Sequence, residues 1–415
     1  MEEGIEPLGR NRDFRVLALS QGVSAGGDAV SGTALPLLVL ALTGSGLAMG
    51  IVGAIQTLTD FAFATVAGVL ADRGDRKAMM LGADLGRAVL TALIPLSAAL
   101  GGPTMAVVVV VAAPLALLRG VFRAAYLAAV PNLVGRPLMA RGNAILETVY
   151  SIAFIVGPSI AGVLASAIGP GPTLAVDAAS FGVSAIGLFL IRRDLRAPSG
   201  RPPSRMVDDI REGMVFVARH PVLRSAILVF AAASAVLAPI TAALTFRIVR
   251  DLGETPAALG IVLTGFGVGT LVGSLAATRI GHRTSVALVF VVALLAYGLA
   301  LIGIAIVASI PGVVGLAALA GVGESILVVS YVTVRAANSP DHLLGRIAST
   351  ARMTALAVQP VGMLVAGALI DGVGGTATCA VLGAALVASA IAVVPSRTLR
   401  QATVNPLAPR RSEGA

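Results

Sequence analysis

The chain has 415 residues, of which 57% are hydrophobic and 12% charged. Soluble domains carry about 25% charged residues, so an ordinary water-soluble fold is excluded. A net charge of +9 raises nucleic acid as a partner, but the basic residues sit in short loops between apolar runs and no nucleic-acid partner is expected.

In chain order, Met1 to Arg15 mixes Glu2, Glu3, Glu6 and Asp13 with three arginines ahead of a full-length apolar run. A cleavable signal peptide has a different layout, so the first helix is expected to be retained. Runs of about 20 apolar residues, each matched to a hydrocarbon core of roughly 30 Å, predict spans near 14–42, 45–71, 77–100, 104–130, 143–168 and 173–191. A second set is predicted near 221–246, 256–278, 284–308, 313–336, 345–370 and 376–395. The ten-residue alternation of a transmembrane β-barrel is absent. Turns as short as Thr43-Gly44-Ser45 and Gly101-Gly102-Pro103 force their flanking helices antiparallel.

Residues 192–220 break the pattern. The segment opens rich in Arg, Pro and Ser, and apolar residues at 207, 210, 214 and 217 then fall on one helical face, which predicts a short interfacial helix. The expected organisation is an N-terminal six-helix half (1–191), a cytoplasmic linker with a short amphipathic helix (192–220), a second six-helix half (221–395) and a disordered cytoplasmic tail (396–415). With the N-terminus in the cytoplasm, all of the 30 Lys and Arg residues except Arg247 and Arg250 fall on the cytoplasmic side. The expected location is therefore a bacterial-type cytoplasmic (inner) membrane, multi-pass, with both termini inside. Gly120, Pro137 and Gly142 match Gly323, Pro340 and Gly345 at a constant offset. Such a parallel repeat of six-helix halves is a standard transporter construction, with the substrate site between the halves.

The stretch Gly68-Val69-Leu70-Ala71-Asp72-Arg73-Gly74-Asp75-Arg76-Lys77, between the second and third spans, resembles the loop signature of the major facilitator superfamily. Gly68 would allow close packing there, and Asp72, Arg73, Arg76 and Lys77 would pair across helix ends, cap them and gate the bundle. Gly157-Pro158-Ser159-Ile160-Ala161-Gly162 resembles the Gly-Pro signature of proton-coupled drug antiporters: Pro158 removes a backbone hydrogen bond, while Gly157 and Gly162 admit a neighbouring helix. Gly27-Asp28 with Ala34-Leu35-Pro36-Leu37, Asp177-Ala178-Ala179-Ser180-Phe181 and Arg211-Glu212-Gly213-Met214-Val215-Phe216 are similar to the macrolide-efflux and enterobactin-exporter branch. The resemblance implies the major facilitator fold, an all-α polytopic membrane protein whose twelve transmembrane helices form two six-helix halves related by a pseudo-twofold. It further implies that helices one, four, seven and ten line a central cavity, and that export of amphipathic compounds proceeds by alternating access driven by protons. The second-half copy of the loop signature has Ala277 where the first has Asp72.

Asp28, Asp60, Arg119 and Glu324 lie near mid-helix. An ionisable group there costs about 2.5–3.5 kcal/mol, so each should face protein or water. Gln21, Ser24, Asp28 and Ser31 recur at helical spacing, as do Arg119, Arg123 and Tyr126, and Glu324, Tyr331 and Arg335; these stripes are expected to line an aqueous path. Asp28 and Glu324 are the first proton-coupling candidates and Arg119 a charge partner, with permanent ion pairing as the alternative. Asp60, beside Gln56, ranks behind them, and Asp84, Glu147 and Asp177, nearer helix ends, are read as structural or gating residues. Gly46/Gly50 and Gly265/Gly269/Gly273 have the spacing of close helix packing.

The favoured function is a secondary transporter that exports small amphipathic or hydrophobic molecules of the drug, macrolide or siderophore class by proton antiport. Lipid flipping or uptake on the same fold is the alternative, and a membrane-embedded enzyme the remote one. Neither a phosphate-binding Gly-x-x-x-x-Gly-Lys-Ser/Thr loop nor a His-Glu-x-x-His pattern occurs. No cofactor, metal or catalytic residue is expected; the partners are the small-molecule substrate, protons and the lipid bilayer, and the chain is expected to be a monomer. Aromatic residues are only 4% of the chain, without Trp, which leaves few stacking groups and favours an aliphatic or amphipathic cargo.

Overall fold

A computed structural model describes residues 8–102, 104–196, 206–280 and 284–404, apart from the side chains of Thr65, Val69, Asp72, Arg73, Arg136 and residues 206–210. The described residues are almost entirely helical. Eleven helical stretches are long and apolar enough to cross a bilayer. The longest, Asp341–Val393, is really two: Gly374 adopts φ 82° and ψ 170°, a conformation that a residue with a Cβ avoids. Twelve crossings follow. In a bilayer every backbone polar group must be satisfied within its own segment, and uninterrupted helices do this.

The chain divides into two compact units, one comprising Met1–Arg201 with Gly253–Thr264 and the other Pro202–Leu252 with Gly265–Ala415. The first holds α1 (Arg12–Thr43), α2 (Gly46–Arg73), α3 (Arg76–Ala99), α4 (Thr104–Val134), α5 (Met139–Ile168) and α6 (Pro170–Leu190). Here α1 packs on α5 and α6, α3 on α4 and α6, and α2 on α4. The second holds the linker helix α7 (Met206–Arg219), α8 (Pro221–Leu237) continued by the short α9 (Ile240–Thr245) and a π-turn Phe246–Asp251. α10 (Pro256–Ala277) straddles the division, and α11 (Val286–Ile306), α12 (Ile310–Ala337), α13 (Leu344–Val393) and α14 (Arg397–Gln401) complete the second unit. The order α4, 3-10 turn Arg136–Leu138, α5 recurs as α12, 3-10 turn Asp341–Leu343, α13, with Pro137 and Pro340 at the matching turns.

Large apolar side chains stand exposed all along the spans, among them Leu19 at 70%, Leu100 at 77% and Ile306 at 76%. Such surface is unstable in water and natural against lipid tails.

Two expectations about the connections are revised. The tail is ordered at its start: α14 buries Leu399, Ala402 and Val404 pair with Val286 and Thr284, and only residues beyond 404 lie outside the described part. The apolar face predicted for the linker helix splits. Val217 is buried while Met214 is 56% exposed, and the helix meets α13 through Gly213, where a Cβ would stand 2.8 Å from the Arg346 carbonyl. Glu212 pairs with Arg346 at that crossing, so an ion pair and a glycine set the approach.

The α2–α3 turn is a hydrogen-bonded cap. Asp75 is the N-cap of α3 and accepts from the Ala78 N–H at 3.0 Å. Buried Arg76 donates to the carbonyls of Ala71 and Ala128, at 3.1 and 3.0 Å, and Lys77 to those of Phe189 and Ile191, at 3.1 and 2.6 Å. Two cations thus satisfy the C-terminal carbonyls of three helices. A Cβ at Gly68 would meet nothing within 4 Å among the described residues, so the close packing expected of it is not found. The side chains of Asp72 and Arg73 lie outside the described part. The Asp75 carboxyl is held below the usual carboxylate range, first by the Ala78 N–H and then by Arg196, whose Nε lies 3.3 Å away.

Asp75→Ala is expected to lower stability by about 1 kcal/mol at neutral pH, read as a lower thermal midpoint in detergent. The folded-state carboxyl titrates below its unfolded value near 3.9. The cap's contribution is therefore complete above that pH and is lost as pH falls through the folded value, so variant and wild type should converge in acid.

Candidate functional site

Polar groups within the first unit gather at mid-helix. α1 is brought against α6 by Gly27, whose hypothetical Cβ would collide with Ser180 and come within 2.6 Å of an Asp177 oxygen. Further along the same face, Gln21 donates to Ser184 at 2.8 Å and Ser31 donates to Asp177 at 2.5 Å. α5 reaches α1 through Gly157, where a Cβ would strike Ala29. Absent side chains at Gly27 and Gly157 are what let the polar rows of three helices meet.

The result is a cavity of about 280 Å³ to which all six helices of the unit contribute. Its charged lining is Asp28, Arg87, Arg119 and Asp177, with Gln56, Ser31 and Thr91 as neutral polar groups and Tyr150, Phe154 and Phe181 as aromatic wall. Arg87 is 3% exposed and hydrogen-bonds fully buried Asp84 one turn away. Its guanidinium lies 4.7 Å from the Phe122 ring centre and 4.2 Å from that of Phe181, a cation–π sandwich that fixes its place. From there Nη1 reaches an Asp28 oxygen at 3.8 Å. Asp28 keeps 40% of its side-chain surface exposed. Arg119, at the same cavity, pairs with Asp60 at 2.8 Å.

Several expectations change here. The guanidinium within ion-pair distance of Asp28 is Arg87, which the sequence places only among the cytoplasmic-side charges, while Arg119 pairs with Asp60. The α1 stripe is mostly spent on helix packing: Gln21 is bonded to α6, Ser24 is 3% exposed, and only Asp28 and Ser31 line the cavity. Asp60 is held by Arg119. Arg123 is exposed, and Tyr126 stacks on Phe122 with ring centres 6.1 Å apart, away from the cavity lining. In the second unit Tyr331 is 2% exposed and stacks on Phe230 at 4.0 Å, so it packs α12 on α8. Glu324 is part-buried in α12, and among the described residues no ion pair reaches it. Asp177, read as structural or gating, lines the cavity. Three of the sixteen aromatics, Tyr150, Phe154 and Phe181, stand at this wall. The signal for Asp177 was its Asp-Ala-Ala-Ser-Phe motif, whose Phe181 also lines the cavity.

The Gly-Pro segment of α5 has a second contact within this unit. A Cβ at Gly162 would stand 2.5 Å from the Pro256 carbonyl, and one at Gly260 2.5 Å from the Pro158 carbonyl. Ser159 and Thr264 hydrogen-bond at 2.7 Å beside them. Among the described residues no cluster of His, Cys, Asp and Glu could hold a metal ion.

Twelve apolar crossings, with a charged cavity walled by the first six helices, are the construction of a polytopic transporter. The sequence matches the transmembrane secretion effector family of the major facilitator superfamily over residues 3–411, and the chain belongs to that family. It is a transporter of the superfamily's efflux branch and not an enzyme. It is 30% identical to the multidrug efflux pump Tap of Mycobacterium tuberculosis (strain ATCC 25618 / H37Rv), over 93% of this chain and 94% of that protein. It is 25% identical to the enterobactin exporter EntS of Escherichia coli O1:K1 / APEC, over 80% and 79% of the two chains. In fold it is similar to the nucleoside transporter NupG, with a TM-score of 0.77 at 11% identity, covering 92% of this chain and 98% of that one.

Proposed function

We propose that this protein lies in the cytoplasmic membrane of a bacterium with both termini inside, and exports small amphipathic or hydrophobic molecules of the drug, macrolide or siderophore class. Export runs by proton antiport with alternating access, in a monomer. The observation that carries the reading is the first unit's cavity, where Asp28, 40% exposed, stands 3.8 Å from Arg87 at membrane depth. Carboxylates facing such a cavity bind a proton or a cationic group at comparable cost, which is the property antiport needs. The names of the relatives, a multidrug pump and a siderophore exporter, favour export over uptake. Glu324 is the proton-carrying candidate of the second unit.

Reconstitution in liposomes with an inside-acid pH gradient tests this, using a panel of macrolides, siderophores and lipophilic cations. The expected result is cargo-dependent proton movement in wild type that is lost on neutralising a coupling carboxylate, with Asp28→Asn and Glu324→Gln measured side by side. A cargo that crosses without moving protons in wild type rules out the antiport assignment.

A further inference from the structure

Two carboxylates, Asp28 and Asp177, and two guanidiniums, Arg87 and Arg119, line the first unit's cavity, and each guanidinium is also paired with a further carboxylate, Asp84 or Asp60. Arg119 is taken by Asp60 at 2.8 Å. Arg87 is fixed between two rings, bonded to Asp84 and within 3.8 Å of Asp28.

Asp177 is left without a cation of its own among the described residues. It is 3% exposed, and its oxygens receive hydroxyls: Ser31 on Oδ2 at 2.5 Å and Ser180 on Oδ1 at 3.3 Å. The groups facing the same cavity are Asp28 from α1, Gln56 from α2, Arg87 from α3, Arg119 from α4 and Tyr150 from α5. A carboxylate so deep and so partnered is stable only when a proton or a cation neutralises it. Asp28, by contrast, has Arg87 in reach and solvent at its side.

We propose that Asp177 is the proton-carrying residue of this cavity, and that it exchanges its proton for the positive group of a monovalent organic cation. The inference rests on the antiport reading above and adds to it the residue and the charge class of the cargo. Arg87 gives Asp28 a counter-charge at 3.8 Å, whereas the oxygens of Asp177 meet only hydroxyls, so the exchangeable proton is assigned to Asp177. The step balances simply. The carboxyl O–H of Asp177 releases a proton to water, the cargo's cationic group takes its place beside the carboxylate, and the cavity's net charge is unchanged. Exchange of one proton for one monovalent cation is electroneutral, so it follows the pH gradient and is indifferent to membrane potential.

The test is infrared spectroscopy of the full-length protein in lipid, comparing neutral with alkaline pH, and then with tetraphenylphosphonium added. Wild type and Asp28→Asn should both show a protonated-carboxyl C=O signal at neutral pH that disappears on alkalinisation, and in wild type also on adding the cation. Asp177→Asn should lack that signal, and Asp177→Glu should shift it. A signal unchanged in Asp177→Asn, or abolished by Asp28→Asn alone, overturns the proposal. If Asp177→Asn does not fold, a signal unmoved in Asp177→Glu overturns it equally. The spectrum needs no transport, so a wild-type protein that moves cargo without protons would refute antiport while leaving the protonation result standing. In liposomes that do show antiport, uptake of tetraphenylphosphonium driven by potential as strongly as by pH would also overturn electroneutral exchange.

Discussion

Arg87→Met is expected to destabilise the protein by about 3–5 kcal/mol, the cost of leaving one partner of a buried ion pair without its counter-charge. Asp84 is fully buried and hydrogen-bonded to that guanidinium, so the substitution strands a carboxylate at membrane depth. Methionine fills most of the volume between Phe122 and Phe181 but supplies neither the charge nor the cation–π contacts. The effect should appear as a large loss of monodisperse protein on size exclusion and a lowered thermal midpoint. Asp84→Asn combined with Arg87→Met removes both charges and should recover much of that loss, because replacing a buried pair outright is far cheaper than breaking it. A single variant as stable as wild type would show that Asp84 is neutral without Arg87.

Gly269→Val is the second large effect, about 1–3 kcal/mol of overpacking. In the second unit, Gly265, Gly269 and Gly273 of α10 face Val314, Ala318 and Val322 of α12, and a Cβ at Gly269 would overlap the Ala318 backbone carbonyl. The obstacle is backbone, not a side chain that can rotate away, so α10 and α12 must separate. α12 returns the arrangement through Gly321, where a Cβ would collide with the carbonyl of Phe266. Cys379, the single cysteine, is fully buried in this unit, and its reaction with a thiol dye on heating reports unfolding in a protein without Trp. Gly315→Ala, where a Cβ would meet nothing within 4 Å, should change the midpoint little and serves as the control.

These two sites differ in how far the sequence foretold them. The spacing of Gly265, Gly269 and Gly273 already marked a helix-packing face, because small residues four apart form one groove whatever their partner. Arg87 and Asp177 are not singled out by the sequence as cavity groups. Counting charges by side sets Arg87 with the cytoplasmic residues although it stands midway along α3, and Asp177 reads as structural or gating. Arg87 is tolerated inside α3 because Asp84, Asp28, Phe122 and Phe181 converge on it from four helices. Nothing local to α3 says so except the i, i+3 pair with Asp84.

The sequence by itself determined the twelve spans, the short turns between them, the division near residue 200 and the family. These are decided segment by segment: a run of about 20 apolar residues closes its own backbone hydrogen bonds and matches the bilayer. Tertiary structure alone decided the charge pairs, giving Arg119 to Asp60 and Arg87 to Asp28, spending Gln21 on Ser184, and putting Asp177 at the cavity. Each of those contacts joins residues of different helices, most of them far apart in sequence. Which face of one helix meets which face of another depends on where glycines such as Gly27 and Gly157 allow backbones to approach, and that choice is made only when the helices pack.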